Sequence, residues 1–387
     1  MIPNNLDIVI RDAISAFRRI DLTDLRVLEG ISRFGPRNIS QVAESVRVPS
    51  TTVRFRLSRM LQESFLFLHM IPYLPHLGLQ RAVVFLEANT GYENDILNYS
   101  KIHDYWVFQC SIYGRFDGCV GFWNIPFGEE DKFVDFFNTL VDLGVVRNYH
   151  LHWTTCAYYP GISSKWYRVQ DKSWVYNWEE FFTEISVEQG NEVPGILRDP
   201  IEYSTKVDAI DLQIINELEE NAKLTLPEIS ALLDVPLSKI KYHYNEHIIK
   251  RDLISGYQAE IYRFPFPLCE ILFFIFDFDN SQDMNAYISA FIDKPIAINI
   301  SKIIGQNSIV SQVYLPKWEL RNFIKLLSRL TKLGYMKRYS YYIQDMYESW
   351  RELIPIDNFD DGWVYKHDKY MNKIKKLYQN DVNIKVI

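Results

Sequence analysis

The chain has 387 residues, 48% of them hydrophobic and 24% charged, which is material for about two to four packed domains. It contains no apolar run of roughly 18 residues, so no transmembrane helix is expected, and with Asp7, Arg11, Asp12, Arg18 and Arg19 near its start no signal peptide is expected either. A net charge of −7 excludes a protein that coats nucleic acid along its whole length, and four cysteines without a CxxC pair point to reduced, buried thiols in a cytoplasmic protein.

Leu6, Ile10, Ala13, Ile14 and Phe17 predict an amphipathic N-terminal helix. A second helix, about 21–32, sets Leu22, Leu25, Leu28 and Ile31 on one face and ends at Gly35-Pro36. Residues 40–61 read as a helix-turn-helix. Val42, Ala43 and Val46 mark a short first helix, and Pro49 breaks it. Ser50 or Thr51 is expected to cap the next helix, in which Val53, Leu57, Met60 and Leu61 form a buried stripe. The other face holds Thr51, Thr52, Arg54, Phe55, Ser58 and Arg59, with Arg56 at its edge, and suits a DNA major groove. Taken alone, this stretch also fits a solvated, Arg-decorated surface helix. Phe65 to Leu68 follow as an apolar strand able to form a wing.

From residue 79 a new order begins. Strands are predicted at 79–89, 106–113, 118–125 and 145–157, and helices at 92–105 and 129–143. Phe133, Phe136, Phe137 and Leu140 are the buried stripe of the second of these helices. The order βαββαβ is the ferredoxin-like motif. The whole pattern recurs at an offset of 187 residues: Val48-Pro49 falls on Val235-Pro236, Phe55 on Tyr242 and Arg56 on His243. A second βαββαβ run follows, with strands at 271–277, 296–304, 308–315 and 335–343 and helices at 283–291 and 317–333. The expected division is a winged helix-turn-helix at 1–70, a sensor domain at 71–160, a Trp-rich extension and linker at 161–204, a second winged helix-turn-helix at 205–263, a second sensor at 264–346, and a Trp/Tyr-rich extension at 347–387. The fold class is therefore α+β, two winged helix-turn-helix domains and two ferredoxin-like domains in tandem. One face of each sheet is left by its helices to be covered, so the two sheets are expected to pair.

Each half resembles the Lrp/AsnC (feast/famine) transcription regulators over about 20–160 and 205–346. Arg56-Leu57 before Arg59-Met60 is similar to that family's recognition-helix pattern. The run from Asp252 through Tyr257 is similar to its helix-to-wing junction, and Gly114-Arg115-Phe116-Asp117 to its G-x-[Y/F]-D turn. The resemblance implies a sequence-specific, effector-responsive transcription regulator built as a fused pseudo-dimer. Two departures stand out. The family usually has one copy, and the second copy here has His243 and Glu246 where the first has Arg56 and Arg59.

The DNA-contacting set is then Ser50, Thr51, Thr52, Arg54, Phe55, Arg56 and Arg59 with Ser238, Lys239, Lys241, Tyr242 and His243, a protein partner being the alternative for the second helix. Residues 1–69 carry ten arginines against seven carboxylates, whereas residues 201–262 carry six basic against eleven acidic groups. The first unit should dominate readout, on a non-palindromic site. Gly114, Phe116 and Asp117 are the effector candidates, with a hairpin turn as the alternative. His150 and His152 share a strand face, but the spacing offers no third ligand, so no metal or other cofactor is expected. The aromatic extensions are read as packing surfaces rather than a ligand box. Expected partners are double-stranded DNA, a small-molecule effector and a second copy of the chain, with no membrane. The chain is expected not to be an enzyme. The competing readings are a partner-binding scaffold and a tetrapyrrole (siroheme-type) decarboxylase on the same architecture, for which His103, His150, His152 and Arg147 are the candidates.

Overall fold

The computed structural model describes residues 20–63, 66–170, 172–187, 192–261 and 268–385. The expected helix around Leu6 to Phe17 lies outside the described residues. The first unit opens with α1 (Leu22–Phe34), α2 (Ile39–Val46) and α3 (Ser50–Gln62). Asp21 and Asp24 cap α1 reciprocally, each carboxylate accepting the other's amide at 2.9–3.0 Å. Gly35 ends α1 at φ +80°, and the ring of Tyr257 occupies the space a Cβ would need. Pro49 stands at the N-cap of α3, which no side chain caps, so the expected hydroxyl cap is not formed. Val53, Leu57 and Met60 bury the inner face as their spacing requires.

After β1 (Leu66–Pro72) the first ferredoxin-like region runs β2 (Leu79–Ala88), α4 (Ile96–Ser100), β3 (Trp106–Gly114), β4 (Gly118–Pro126), α5 (Glu130–Asp142) and β5 (Val146–Thr154). The helix expected over 92–105 is thus one short turn of helix flanked by bends. The extension contributes β6 (Tyr167–Arg168), β7 (Ser173–Trp174) and α6 (Trp178–Val187). The second half runs α7 (Ala209–Glu220), α8 (Leu226–Leu233), α9 (Leu237–Tyr242), a π-helical turn His243–Ile249, and β8 (Ile254–Ile261). Then come β9 (Cys269–Asp277), α10 (Ser281–Ile292), β10 (Ala297–Lys302), β11 (Ser308–Pro316), α11 (Lys317–Lys332), β12 (Arg338–Arg351) and α12 (His367–Lys385).

The two halves are interlaced. β1 does not fold into a wing within its own unit; it pairs antiparallel with β8, from Leu66 opposite Ile261 to Met70 opposite Tyr257. The apolar alternation of Leu66, Leu68 and Met70 is buried by this cross-pairing. Eight strands form one antiparallel sheet in the order β10-β11-β9-β12-β3-β4-β2-β5. Each set of four keeps the ferredoxin-like order, and β12 joins them. Its first part lies along β9, from Tyr342 it also lies along β3, and after a register shift between Gln344 and Ser349 its end continues along β3 with Trp350 opposite Gln109. At the other end, bridges from Thr154 to Ile303 and from Tyr158 to Ile300 bring β5 back to β10. The sheet therefore curls around a shared core of Val83, Phe85, Ile112, Val120, Phe122, Phe273, Val310 and Tyr342.

The helices cover the outer faces. Phe133, Phe136, Phe137 and Leu140 of α5 are fully buried, as are Phe323, Leu327 and Leu330 of α11. The aromatic extensions cross over. α6 packs on α10 and α11 of the second half, while α12 packs on α5 of the first. The Trp363 indole donates to the Leu77 carbonyl at 2.6 Å, and Tyr105 donates to the Val364 carbonyl at 2.9 Å. These contacts bury large aromatic area while satisfying the polar end of each ring.

Candidate nucleic-acid interface

The charges of the two helix-turn-helix units are sorted by a shared device at the start of α1 and α7. In the first unit Asp24 is fully buried. It takes Arg56 at 2.8 Å and Arg59 at 2.6 Å, while Arg56 also reaches Asp21 at 2.7 Å. Burial raises the Asp21 carboxyl, but Arg56 and the Asp24 amide outweigh it and hold the group below its usual range. Two of the arginines expected on DNA thus fasten α3 to the start of α1. The physical reason is that a buried carboxylate must be paired, and these are the cations in reach. What α3 leaves outward is Thr51, Arg54 and Phe55, the last 68% exposed, with Ser50 and Thr52 half-buried beside them.

In the second unit Asp208 and Asp211 form the same capping box. The cations are replaced by imidazoles: His243 Nδ1 lies 2.8 Å from Asp211 Oδ1, and His247 Nδ1 lies 3.0 Å from Asp211 Oδ2. His243, expected on DNA, is buried here instead. By the simple offset Arg59 maps to Glu246, but the π-helical turn shifts the frame by one residue and brings in His247. Sequence reasoning missed His247, although the i, i+4 spacing of His243 and His247 was a visible signal. Ser238, Lys239, Lys241 and Tyr242 remain exposed, and Tyr242 occupies the place of Phe55.

The units are tied together besides β1 and β8. Arg37 donates to the carbonyls of Ala222 and Leu224, and the His69 ring contacts the Glu219 carbonyl at 2.8 Å. Glu219 is buried, which lifts its carboxyl to about 7 against the opposing pull of Arg351 and Arg81.

The sensor candidates divide between two faces of the sheet. Phe116 meets Tyr342 at 4.9 Å and His150 at 6.2 Å on the inner side, while Gly114 and Asp117 are exposed in the turn. His152 packs on Phe85, and its buried Nε2 has no hydrogen-bond partner among the described residues; burial pulls its pKa down, and His150 adds to this. Arg147 pairs instead with Glu87 at 3.2 Å. His103 lies on the helix side among Tyr105, Phe133, Phe136, Tyr365 and Tyr370, where burial drives its pKa to about 3. The four enzymatic candidates therefore do not converge on one site. A cleft that the sequence did not announce, about 510 Å³, lies between the first unit and the second sensor and is lined by Glu29, Arg33, Tyr158, Tyr257 and Asp293.

The architecture is a winged helix-turn-helix α+β protein with one large antiparallel sheet. The sequence model of the family described as winged helix-turn-helix DNA-binding matches residues 207–246. No curated protein matches the chain in sequence. Among solved structures, siroheme decarboxylase NirDL is 10% identical, covers 93% of this chain and 99% of its own, and superposes with a TM-score of 0.48. A transcriptional regulatory protein of the AsnC family from Pyrococcus furiosus is 22% identical, covering 35% of this chain and 88% of its own at a TM-score of 0.27. A transcriptional regulator from Neisseria meningitidis, solved with L-Met, is 16% identical with the same coverage and TM-score. The expectation that the chain is not an enzyme is corrected: solved structures aligned over nearly the full length of the chain include two of the enzyme siroheme decarboxylase NirDL.

Proposed function

We propose that this chain is a DNA-binding transcription regulator of Lrp/AsnC type, in which a duplicated unit lets one polypeptide supply both DNA-reading helices. One observation carries the reading: once the buried carboxylates have claimed Arg56, Arg59, His243 and His247, each unit still presents an outward helix face. Those faces are Thr51, Arg54 and Phe55 on one side and Ser238, Lys239, Lys241 and Tyr242 on the other. Hydroxyls, cations and one exposed ring are the groups that meet phosphates and base edges. The faces differ, one with a guanidinium and the other with two ammonium groups, so the favoured site is non-palindromic. In this reading the Gly114–Asp117 turn is the effector contact. Phe116 touches Tyr342 of the other half, so a ligand there acts on both.

The test is selection of bound duplexes from a random pool, followed by affinity measurements over a salt series. Affinity should fall steeply with salt as counterions are released, and the selected site should lack dyad symmetry. Absence of any enriched sequence would refute the proposal.

One specific observation favours a second reading, an enzyme acting on a tetrapyrrole: the partnerless His152 Nε2 beside His150 and Phe116 on the inner sheet face. Adding siroheme to the purified chain and following absorbance and release of carbon dioxide tests it. No spectral change removes this reading.

A further inference from the structure

We propose that Asp208, Asp211, His243 and His247 form a binding site for one transition-metal dication of the zinc type, at the joint between α7 and the second reading helix. Each of the four offers a ligand atom, and these atoms lie within 4.8 Å of one another. The two imidazole Nδ1 atoms face the same carboxylates. His243 lies 2.8 Å from Asp211 and 3.5 Å from Asp208, and His247 lies 3.0 Å from Asp211 and 3.7 Å from Asp208. Tetrahedral zinc with nitrogen and oxygen ligands at about 2.0–2.2 Å requires ligand atoms about 3.3–3.5 Å apart. The four His–Asp separations bracket that value and all four ligand atoms lie within 4.8 Å of one another, so an ion replaces the shared protons once the widest pair draws in by up to about 1 Å.

The surroundings are those of a built site. Asp211 is fully buried and both histidines are nearly so, while Asp208 is about half exposed and leaves an entry path. Backbone amides hold the carboxylates: Asp208 Oδ1 accepts from Ile210 and Asp211, and Asp211 Oδ2 accepts from Asp208. Asp208 Oδ2 is thereby turned toward the imidazoles. Such outer contacts orient ligands and sharpen affinity. Two imidazoles with two carboxylates suit zinc and its neighbours rather than calcium or magnesium, which prefer oxygen alone.

The comparison within the chain is a second observation. The first unit has the same two carboxylates and neutralises them with Arg56 and Arg59, which carry fixed charge and no lone pair. The second unit puts two lone-pair donors in those places. It reaches the second of them only through the π-helical turn, a local irregularity that is frequent at functional sites. The first half supplies positive charge from its own chain, and the second leaves room for it to come from an ion.

The experiment uses the full chain, freed of metal with a chelator and titrated with zinc by calorimetry and with cobalt by visible absorbance. One equivalent should bind, and cobalt should develop the intense bands of a tetrahedral site. Asp208→Asn removes a charged ligand while keeping an N-cap residue type, so the fold should survive; His247→Gln removes a nitrogen. Each should weaken binding at least tenfold, while Arg59→Lys in the first unit should leave it unchanged. Failure to bind one equivalent, or equal binding by Asp208→Asn, overturns the proposal and leaves the four groups as a proton-bridged cluster. The readout involves no DNA, so its failure is distinct from that of the regulator reading.

Discussion

Arg54 and Arg56 stand two residues apart on one helix and are expected to fail in opposite ways. Arg56 pairs at 2.8 Å with a carboxylate of zero exposure, and Arg59 shares it. Arg56→Ala leaves Asp24 buried with one cation, and leaves Asp21 with its backbone amide bonds but no cation. Breaking a buried pair costs about 3–5 kcal/mol, and the remaining Arg59 bond brings the expected loss to roughly 2–3 kcal/mol. Arg54 is exposed, and its truncation should change stability by no more than about 0.5 kcal/mol. On DNA the order inverts. Loss of a bidentate base contact by Arg54→Ala should cost about 1–3 kcal/mol, which is about 5- to 150-fold in affinity. Arg56→Ala, measured at a temperature where it is folded, should bind within threefold of the parent. Urea denaturation followed by tryptophan fluorescence gives the first quantity, and anisotropy of a labelled duplex at fixed salt gives the second. If Arg56→Ala unfolds at the parental urea concentration and loses as much affinity as Arg54→Ala, the inward assignment of Arg56 is wrong.

Two further outcomes follow from buried groups. Glu219 has a folded pKa of about 7 against an ordinary value of 4.5, so the native state holds its proton longer than the unfolded chain. Its contribution is therefore fully present below pH 4.5 and is lost as pH rises through 7, by up to about 3 kcal/mol. Glu219→Gln should flatten that part of the stability–pH curve, and an unchanged slope between parent and variant would count against it. Gly118 pairs with Glu87 on β2, and a Cβ there would stand 1.9 Å from the Leu86 carbonyl oxygen. Gly118→Ala should destabilise the chain by at least about 2 kcal/mol in thermal unfolding. Parental stability would show that the two strands can part there freely.

The regular elements were legible because their periodicities are local. The predicted strand at 118–125 is observed as Gly118–Pro126, and the stripe from Phe133 to Leu140 is buried as its spacing demands. Pairing partners were not legible. Leu66 to Met70 alternates as a strand in any fold, but nothing local says that its neighbour is β8, and the sequence pattern predicts a last strand ending at residue 343 because the rest of β12 is held by β3 of the other half. Side-chain direction was the other gap. Arg54, Arg56 and Arg59 are chemically identical, and only the placement of α1's first turn separates them. The signal that could have done so was present, since the Asp21/Asp24 spacing recurs at Asp208/Asp211. The π-helical turn itself has no comparable mark in the sequence; only the i, i+4 spacing of His243 and His247 pointed to their sharing one face.

The crossing of β12 and of the aromatic extensions has a consequence for how the chain is made. The ribosome completes α6 about 160 residues before it completes β12, the strand that covers the edge of β3. At roughly 5–20 residues per second that interval is about 8–30 s. Throughout it the nascent first half presents an open strand edge, and for most of it the helix α6 lacks its full landing surface, because α11 is completed only at Lys332. Neither half can reach its final burial before the other leaves the exit tunnel. Expression at lower temperature, or with a holding chaperone that masks strand edges, should therefore raise the yield of correctly closed chains more than it does for a protein whose halves mature one after the other.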